Sequence, residues 1–314
     1  MNRVMKPIQT IDCHYIIDEF AAAYLMLEGE EALFIDNNTN FAIPHLLARL
    51  EENKIKRENV KYLIITHIHL DHAGATSRLV QELPNAIVLA HPKASPHVIN
   101  PKRIIESASM VYGKENFIKM YGDILPVPEN KVRSMQDGEV LKFGSRELTF
   151  IYTRGHANHH FVIYDSKTNS IFTGDSFGIS YPWLREGSSP FLFPSTTPTD
   201  FHAEEARISI EKIIKTGADT AYLTHYDSWT DMKLGRDQML FGIDRMEKIY
   251  LELVDANRDD SGLQELAVSR IHSYFEEEFS KRNIPLSVIK KVNADIEINA
   301  QGLVFAAKRA KRKS

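Results

Sequence analysis

Short apolar runs separated by turn residues dominate the first ninety positions of the chain. Strands are predicted where these runs are densest, at residues 21–27, 32–35, 60–65 and 87–90. Helical spacing of apolar residues instead marks residues 44–53 and 77–83. The segment EGEE lies between the first two runs and predicts a hairpin turn. Strands that alternate with helices in this way indicate a layered α/β architecture.

The rest of the chain changes gradually from a mixed pattern to a helical one. Further strands are predicted at residues 148–152, 161–164, 171–173 and 220–223, and helices at residues 97–122 and 203–215. Residues 182–198 are rich in proline, serine and aromatic residues and predict a long loop. From residue 231 the pattern is helical almost to the end, with breaks at residues 259–262 and at Pro285. We expect one domain over residues 1–230 and a helical C-terminal extension over residues 231–314 that packs on it.

Composition and charge exclude several classes of protein. Of the 314 residues, 43% are apolar and 25% are charged, which is typical of a globular protein with a sizeable core. The formal net charge of -4 provides no field to hold nucleic acid or an anionic membrane. The basic run at residues 308–313 predicts a solvated tail. The single cysteine, Cys13, rules out an internal disulfide and is expected to be a small buried apolar residue.

Neither targeting nor membrane insertion is indicated by the sequence. The N-terminal segment MNRVMKPIQT lacks the apolar core of a signal peptide. No segment approaches the roughly 20 consecutive apolar residues that a membrane-spanning helix requires. We therefore predict a cytoplasmic protein. A small-molecule substrate is also predicted, and homodimer formation is left open.

The stretch YLIITHIHLDHAGAT, residues 62–76, places ligand-type side chains directly after a predicted buried strand. Loops at the end of a strand carry function because a rigid scaffold holds them. In a tight loop, His67 and His69 can face one point while Asp71 and His72 face another. Their imidazole nitrogens and carboxylate oxygens suit zinc, iron or manganese.

Three more ligand-type residues follow predicted strands further along the chain. His156 in TRGHANHH, Asp175 in FTGDS and His225 in YLTHYD each come just past an apolar run. Polar groups at four strand ends would be costly to bury unless a metal or hydrogen bonds satisfied them. The four loops are therefore expected to converge on one site. A structural role is expected for the isolated histidines, which are His14, His45, His97, His202 and His272.

These residues, taken together, resemble the metallo-β-lactamase superfamily. Its signature is HxHxDH followed by a distant His, Asp and His, and all seven positions match in order across roughly residues 8–230. The resemblance implies a four-layer αββα sandwich with two divalent metal ions at the strand rim. Zinc is favoured, and iron or manganese would also suit these ligands.

The resemblance also implies a role for each matching residue. It implies the metal-one ligands His67, His69 and His156, the metal-two ligands Asp71, His72 and His225, and Asp175 as the bridging ligand. Asp36 follows an early strand and matches the family's buried aspartate, which supports the ligand loop. Thr66 is expected to orient the same loop, with simple capping of the strand as the alternative.

Two close cations that share a water lower its pKa, and zinc alone can bring it from 15.7 to about 7. The resemblance therefore implies hydrolysis by a metal-bound hydroxide. Asp71 is a candidate to orient this water, although a carboxylate that ligates metal is a poor free base. Tyr226 is a candidate to donate a hydrogen bond to an oxyanion, with packing as the alternative. Either His159 or His160 is expected to support a ligand or to contact substrate, with surface exposure as the alternative.

Large apolar residues, all but one of them aromatic, lie in and beside the predicted loop and leave two interpretations open. The side chains could wall an apolar pocket over the metals, or they could form a patch that the C-terminal helices cover. The residues concerned are Phe177, Tyr181, Trp183, Leu184, Phe191 and Phe193.

Within the family, glyoxalase II-type thioesterases and acyl-homoserine lactone lactonases share this ligand set, so we predict cleavage of an ester, thioester or lactone. Exported β-lactamases and transfer-RNA processing nucleases fit less well, because neither an export signal nor a basic surface is found. Flavodiiron proteins have Glu where this chain has His69. An iron-dependent oxidoreductase and a non-catalytic ligand sensor remain as alternatives.

Overall fold

The computed structural model describes residues 6–312, and the first part of that range forms a mixed sheet. Its strands are β1 (Ile8–Asp12), β2 (Ala22–Glu28), β3 (Glu31–Ile35), β4 (Val60–Ile64), β5 (Ile87–Ala90) and β6 (Val132–Ser134). They lie side by side in chain order. Strands β1 to β3 pair antiparallel, whereas β3 to β6 pair parallel.

A second sheet follows in the chain and lies against the first. Its strands are β7 (Val140–Phe143), β8 (Arg146–Thr153), β9 (His160–Asp165), β10 (Ser170–Gly174), β11 (Thr220–Leu223) and β12 (Asp227–Trp229). Their order runs from β12 at one edge to β7 at the other. Pairing is antiparallel except between β10 and β11, which run parallel.

Helices connect the strands and form the C-terminal part of the chain. They are α1 (Ile43–Glu52), α2 (Leu70–Ala73), α3 (Thr76–Glu82), α4 (Ser95–Ile99), α5 (Lys102–Tyr112), α6 (Lys114–Tyr121), α7 (Ala203–Lys215), α8 (Met232–Asp255), α9 (Asp260–Arg282) and α10 (Asn293–Lys311). Short 3-10 helices occur at Asn40–Ala42, Arg57–Asn59, Glu129–Lys131, Pro182–Leu184 and Leu286–Val292.

Alternate residues of the strands face different hydrophobic clusters, and this alternation produces the layers. On β3, Leu33 packs between the two sheets, whereas Phe34 packs with buried residues of α1 and α3. On β9, Phe161 faces the same inner cluster, whereas Val162 packs with buried residues of α7 and α8. Both faces of these strands are covered, which explains their continuous apolar runs. The predicted αββα sandwich is therefore confirmed.

The C-terminal helices join the cluster that lies between the sheets. Phe275 of α9 and Leu303 of α10 belong to the same buried group as Leu33. The predicted helical extension is therefore confirmed, while the domain boundary at residue 230 stays a prediction. Helix α9 ends at Asn283, whose φ of 55° is left-handed, and the chain resumes after Pro285.

The differences from the sequence predictions are local. The predicted helix over residues 97–122 is divided twice, at Asn100, which is extended before Pro101, and at Gly113, whose φ of 78° breaks the helical path. Strands β6, β7 and β12 and helix α2 were not anticipated. Residues 308–311 of the predicted solvated tail form the last turn of α10 and lie at the surface, where Lys308 pairs with Asp260; Lys313 lies outside the described residues. Cys13 is buried as expected. Within residues 6–312, no helix has the length and apolar character needed to span a membrane.

Candidate metal centre

The seven side chains singled out from the sequence meet at one edge of the sandwich. The segment after β4 carries His67 and His69, and the short helix α2 carries Asp71 and His72. The second sheet contributes His156 after β8, Asp175 after β10 and His225 after β11. Backbone hydrogen bonds join the two sheets here, from Phe161 N–H to Thr66 C=O (3.0 Å) and from Ala22 N–H to Thr224 C=O (2.8 Å).

His67, His69 and His156 form the first of two compact groups. His156 Nε2 lies 3.2 Å from His67 Nε2 and 3.1 Å from His69 Nδ1. Three nitrogen ligands about 2.1 Å from a tetrahedral zinc would lie roughly 3.4 Å apart. The spacing therefore fits three imidazoles around one cation.

Asp71, His72 and His225 form the second group. Asp71 Oδ2 lies 3.4 Å from His225 Nε2 and 3.7 Å from His72 Nε2. The ligand atoms of this group all lie within 4.8 Å of one another. The second group is therefore also compact enough to surround a cation.

Asp175 lies between the two groups and faces both. Its Oδ1 is 3.2 Å from His72 Nε2 and 3.7 Å from His225 Nε2. Its Oδ2 is 3.5 Å from His156 Nε2. One carboxylate oxygen therefore faces each group, which is the arrangement that a bridging ligand requires.

Asp36 ties together two of the converging loops, the one after β4 and the one after β11. Its carboxylate accepts hydrogen bonds from Thr66 N–H (2.8 Å), Thr66 Oγ1 (3.0 Å), His72 Nδ1 (2.8 Å) and Thr224 Oγ1 (2.9 Å). Asp36 is 1% exposed and adopts a φ of 54° just after β3, which turns its carboxylate into the loops. The buttressing geometry expected of Asp36 is present, and Thr66 is the residue through which it holds the His67 loop.

The second ring nitrogen of several histidines is engaged away from the centre. Thr66 Oγ1 donates to Asp36, so it accepts from His67 Nδ1 at 3.1 Å. His225 Nδ1 donates to Phe20 C=O at 2.9 Å, and His156 Nδ1 faces Ser195 C=O at 3.5 Å. Each of these rings is left with an Nε2 lone pair directed at the centre, which is how proteins fix metal-binding histidines.

Electrostatics differ between the two groups, and in the first the histidines are uncharged. Burial lowers the pKa of His67 and His69 well below the ordinary value, and the neighbouring histidines add to the effect. Burial also lowers the pKa of His156, against the opposing charge of Asp175. Neutral imidazoles at this spacing point lone pairs at one another, so a cation between them would relieve the repulsion.

The second group requires positive charge instead. Burial opposes protonation of His72, but Asp175 and Asp71 outweigh burial and raise its pKa well above the ordinary value. The pKa of His225 is raised in the same way. Burial would raise the pKa of Asp175, but His72, His156 and His225 outweigh it and hold the pKa well below its usual range. Either protons on the histidines or a metal cation would balance the negative charge of Asp71 and Asp175.

The buried donor and acceptor atoms support a metal rather than protons alone. His72 Nε2 and Asp175 Oδ1 are buried and face each other at 3.2 Å, and neither makes another hydrogen bond within the described residues. Such atoms are costly to leave unsatisfied, and imidazole and carboxylate groups suit zinc, iron and manganese. The residues present therefore fit two divalent cations.

His160 and His159 have different positions beside the centre. His160 is buried, its Nε2 accepts from Asp175 N–H at 3.3 Å, and its Nδ1 lies 2.8 Å from Thr153 Oγ1. Gly174 permits this approach, since a Cβ there would lie 2.5 Å from His160 Nε2. His159 is partly buried with its ring 5.6 Å from that of His69. His160 therefore supports the backbone of Asp175, while His159 borders the first group.

Tyr226 and the loop aromatics lie mainly in packed surroundings. Tyr226 belongs to the buried cluster between the sheets, and burial and then Asp12 raise its pKa. Its catalytic role stays a prediction, and we attribute no step to it. Phe191 and Phe193 pack against Phe275 of α9 with ring centroids 5.5 and 4.8 Å away, as the second interpretation of the loop expects.

The isolated histidines do not join the centre. His14 is exposed and lies 2.7 Å from Asp18 Oδ1, with its ring 4.4 Å from that of His45. Asp12, His14 and Asp18 are close enough to hold an ion, but these groups are largely exposed and hydrogen-bonded in their loop. We assign them no function.

Comparison with known proteins relates the chain to one family. The family model described as metallo-beta-lactamase superfamily matches residues 21–225. A metallo-beta-lactamase fold-containing protein of Sulfurisphaera tokodaii is 32% identical over 185 residues, which cover 57% of this chain and 63% of that protein. A hydroxyacylglutathione hydrolase of Prochlorococcus marinus is 28% identical over 145 residues, which cover 45% of this chain and 46% of that enzyme.

An N-acyl homoserine lactonase of Rhizobium radiobacter is 26% identical over 181 residues, covering 56% of this chain and 62% of that enzyme. The matched segments thus span less than two thirds of these relatives. Among solved structures, an archaeal metallo-beta-lactamase superfamily protein from Sulfolobus tokodaii has a TM-score of 0.67 at 21% identity, covering 99% of this chain and 100% of that chain. A metallo-beta-lactamase family protein from Thermus thermophilus has a TM-score of 0.66 at 16% identity, covering 98% and 95%. These structures share the fold.

Proposed function

Because the chain belongs to the metallo-beta-lactamase superfamily, we propose that it is a binuclear metal-dependent hydrolase of an ester, thioester or lactone. The observation that supports this proposal is the meeting of seven histidine and aspartate side chains from four strand ends. Asp175 lies between the two groups with one oxygen towards each. An arrangement that served only packing would not need so many buried ligand atoms in contact.

We assign one metal ion to each group. The proposed ligands are His67, His69 and His156 for the first ion, Asp71, His72 and His225 for the second, and Asp175 for both. When bound, two such ions would lower the pKa of a shared water towards 7 and polarise the substrate carbonyl. Zinc is the metal we favour, and iron or manganese would suit the same donors.

The protein's own groups then position the reactants. Asp71 is the more exposed of the two central carboxylates, with 27% of its side chain accessible against 5% for Asp175. We propose that Asp71 orients the attacking water at the open side of the centre. Asp36 and His160 hold the ligands from behind, so that little reorganisation is required when the substrate binds.

A small-molecule substrate is supported by charge and by the relatives. The net charge of -4 does not favour nucleic acid. Two of the similar proteins are a hydroxyacylglutathione hydrolase and an N-acyl homoserine lactonase, which act on small acyl compounds as their names state. Homodimer formation and a cytoplasmic location stay predictions from the sequence.

Metal analysis combined with a substrate panel tests the proposal. Protein purified without added metal is expected to carry two zinc, manganese or iron ions per chain and to turn over at least one thioester, lactone or aryl ester. Removal of metal with a chelator should abolish turnover, and re-addition should restore it. A redox-active iron spectrum with oxygen consumption would favour an oxidoreductase, and tight ligand binding without turnover would favour a sensor.

A further inference from the structure

Arg185 lies in the segment between β10 and α7 and donates hydrogen bonds to the chain that follows His225. Its Nη2 donates to Ser180 C=O at 2.7 Å and to Tyr226 C=O at 2.5 Å. Its Nη1 donates to Ser228 C=O at 2.8 Å, and its Nε donates to Ser180 Oγ at 3.0 Å. One guanidinium therefore joins two separate segments through three backbone carbonyl groups and one hydroxyl group.

Backbone hydrogen bonds connect the same two segments directly beside the proposed ligand. Ser180 N–H donates to His225 C=O at 2.6 Å, and Tyr226 N–H donates to Ser180 C=O at 3.2 Å. The peptide group between His225 and Tyr226 is therefore held at both of its polar atoms. Because Ser180 C=O also accepts from Arg185, the guanidinium fixes the group on which this pairing depends.

The remaining contacts of His225 lie on its ring and on the chain that precedes it. Thr224 Oγ1 donates to Asp36 at 2.9 Å, which holds the preceding residue. The ring is oriented by the bond from Nδ1 to Phe20 C=O at 2.9 Å. Asp36 therefore holds the backbone before His225, and Arg185 holds the backbone after it.

The surroundings of Arg185 require an arginine in particular. Burial lowers the pKa of Arg185, and the charge of Asp227 acts in the opposite direction. An arginine stays charged under such burial and offers five N–H donors in one plane. Its guanidinium lies over the Trp229 ring, 5.6 Å from the ring centre. Lysine has a single donor nitrogen on a flexible stem and does not reproduce this planar arrangement.

We propose that Arg185 is a positioning residue for the second metal ion, because it holds the backbone after His225 and so keeps the His225 ring directed at the centre. This inference rests on the proposed hydrolase function and adds a residue outside the set of seven ligands. The first ion has no proposed ligand on this segment, since His67 and His69 follow β4 and His156 follows β8. Loss of Arg185 is therefore expected to weaken the second ion selectively.

The test is a competition titration of the metal-free full chain with zinc against a chromophoric chelator. We expect Arg185→Ala to bind the second ion about 10-fold more weakly, at the lower end of the range for groups that support a metal ligand, because the bond from Ser180 N–H to His225 C=O remains. The affinity for the first ion should be unchanged. If Arg185→Ala does not fold, Arg185→Lys keeps the charge without the planar donors and should also weaken the second ion alone.

Rescue by a small molecule separates positioning from a general loss of stability. Methylguanidinium added to Arg185→Ala can donate to the same carbonyl groups and should restore affinity for the second ion, whereas methylammonium should not. Arg207→Ala is the matched control on α7, where Arg207 donates to Asp244 at 2.7 Å and also to Glu247. It should leave both affinities unchanged.

The outcomes distinguish this inference from the proposed function. Equal weakening of both ions, an unchanged affinity for the second ion, or equal restoration by methylammonium overturns the role of Arg185 and leaves the hydrolase proposal standing. If two ions bind and no ester is hydrolysed, the hydrolase proposal fails while the titration still tests Arg185.

Hydrogen exchange of the metal-free protein tests the same hold without any ion. The amide protons of Ser180 and Tyr226 should exchange faster in Arg185→Ala than in wild type. The amide proton of Phe161, which donates to Thr66 C=O between the two sheets, should exchange at the same rate in both proteins. Equal rates for Ser180 and Tyr226 in the two proteins would show that Arg185 does not hold this segment, and would overturn the inference.

Discussion

Replacing Asp36 by Asn tests how the ligand loops are held, and it leaves every proposed metal ligand unsubstituted. The carboxylate of Asp36 accepts from Thr66 N–H, His72 Nδ1 and Thr224 Oγ1. An amide has one accepting oxygen and one donating nitrogen. Thr66 N–H is a backbone donor that cannot change, so the amide oxygen must face it and the amide nitrogen must face His72.

His72 would then have to accept at Nδ1 and carry its proton on Nε2, the atom that faces the proposed second metal. Two hydrogen bonds to a charged acceptor would be weakened or lost, at about 1.5 kcal/mol each. The sum of about 3 kcal/mol corresponds to roughly a 100-fold loss of metal affinity, near the upper end of the range seen when partners of metal ligands are replaced.

The assay is a competition titration of metal-free protein with zinc against a chromophoric chelator. We expect Asp36→Asn to bind the first ion nearly as wild type and the second about 100-fold more weakly. Asp237→Asn is the matched control, because this acid is exposed, is no proposed ligand and, within residues 6–312, is paired with neighbouring Arg236 at 3.2 Å. Equal affinity of wild type and Asp36→Asn for both ions would refute the reasoning.

Three further changes test separate parts of the structure. Asp175→Ala should lower metal content from two ions per chain to one or none and should remove turnover. His45→Ala, at an exposed position, should alter neither. Elemental analysis measures the metal content, and two retained ions in Asp175→Ala would contradict the bridging role. Gly302→Ala should lower the free energy of unfolding by about 1–3 kcal/mol, because the new Cβ would clash with Thr196 C=O. An unchanged midpoint of urea unfolding would contradict this contact. Burial lowers the pKa of His91 to about 4, so the folded state loses stability relative to the unfolded state as the pH falls from about 6.5 towards 4. In chelator-treated protein, His91→Gln should reduce the loss of stability between pH 7 and pH 4 by roughly 1–2 kcal/mol. Identical pH profiles of the two proteins would contradict this prediction.

Much of the fold could be predicted because its strands are buried on both faces. Residues such as Leu33 and Phe34 face opposite clusters, so β3 appears in the sequence as an unbroken apolar run. Strand β6 has no buried residue and β7 alternates exposed with buried positions over four residues, so neither gave a clear signal. The division at Gly113 was missed because glycine is also tolerated within helices.

The candidate centre could be located from the sequence because each ligand-type residue follows a strand. The order and spacing of His67 to His225 in the chain are enough to indicate one site. The supporting role of His160 could be anticipated only in outline, because its contact with Asp175 N–H depends on the pairing of β9 with β10.

The contacts that α10 makes with the loop could not be predicted. Asp295 and Asn299 have a spacing that occurs on every helix, and their partners Tyr181 and Thr196 lie more than 100 residues away in the chain. The sequence left two interpretations of the loop aromatics. The structure places Phe191 against α9, whereas Tyr181 borders the centre, a division that depends on tertiary packing.

The most direct test of the account is an anomalous difference map from crystals of the metal-loaded protein, recorded at the absorption edge of the bound metal. Two peaks are expected, one among His67, His69 and His156 and one among Asp71, His72 and His225, with Asp175 between them. Absence of both peaks, or a single peak away from Asp175, would contradict the central claim that these converging loops form a binuclear metal centre.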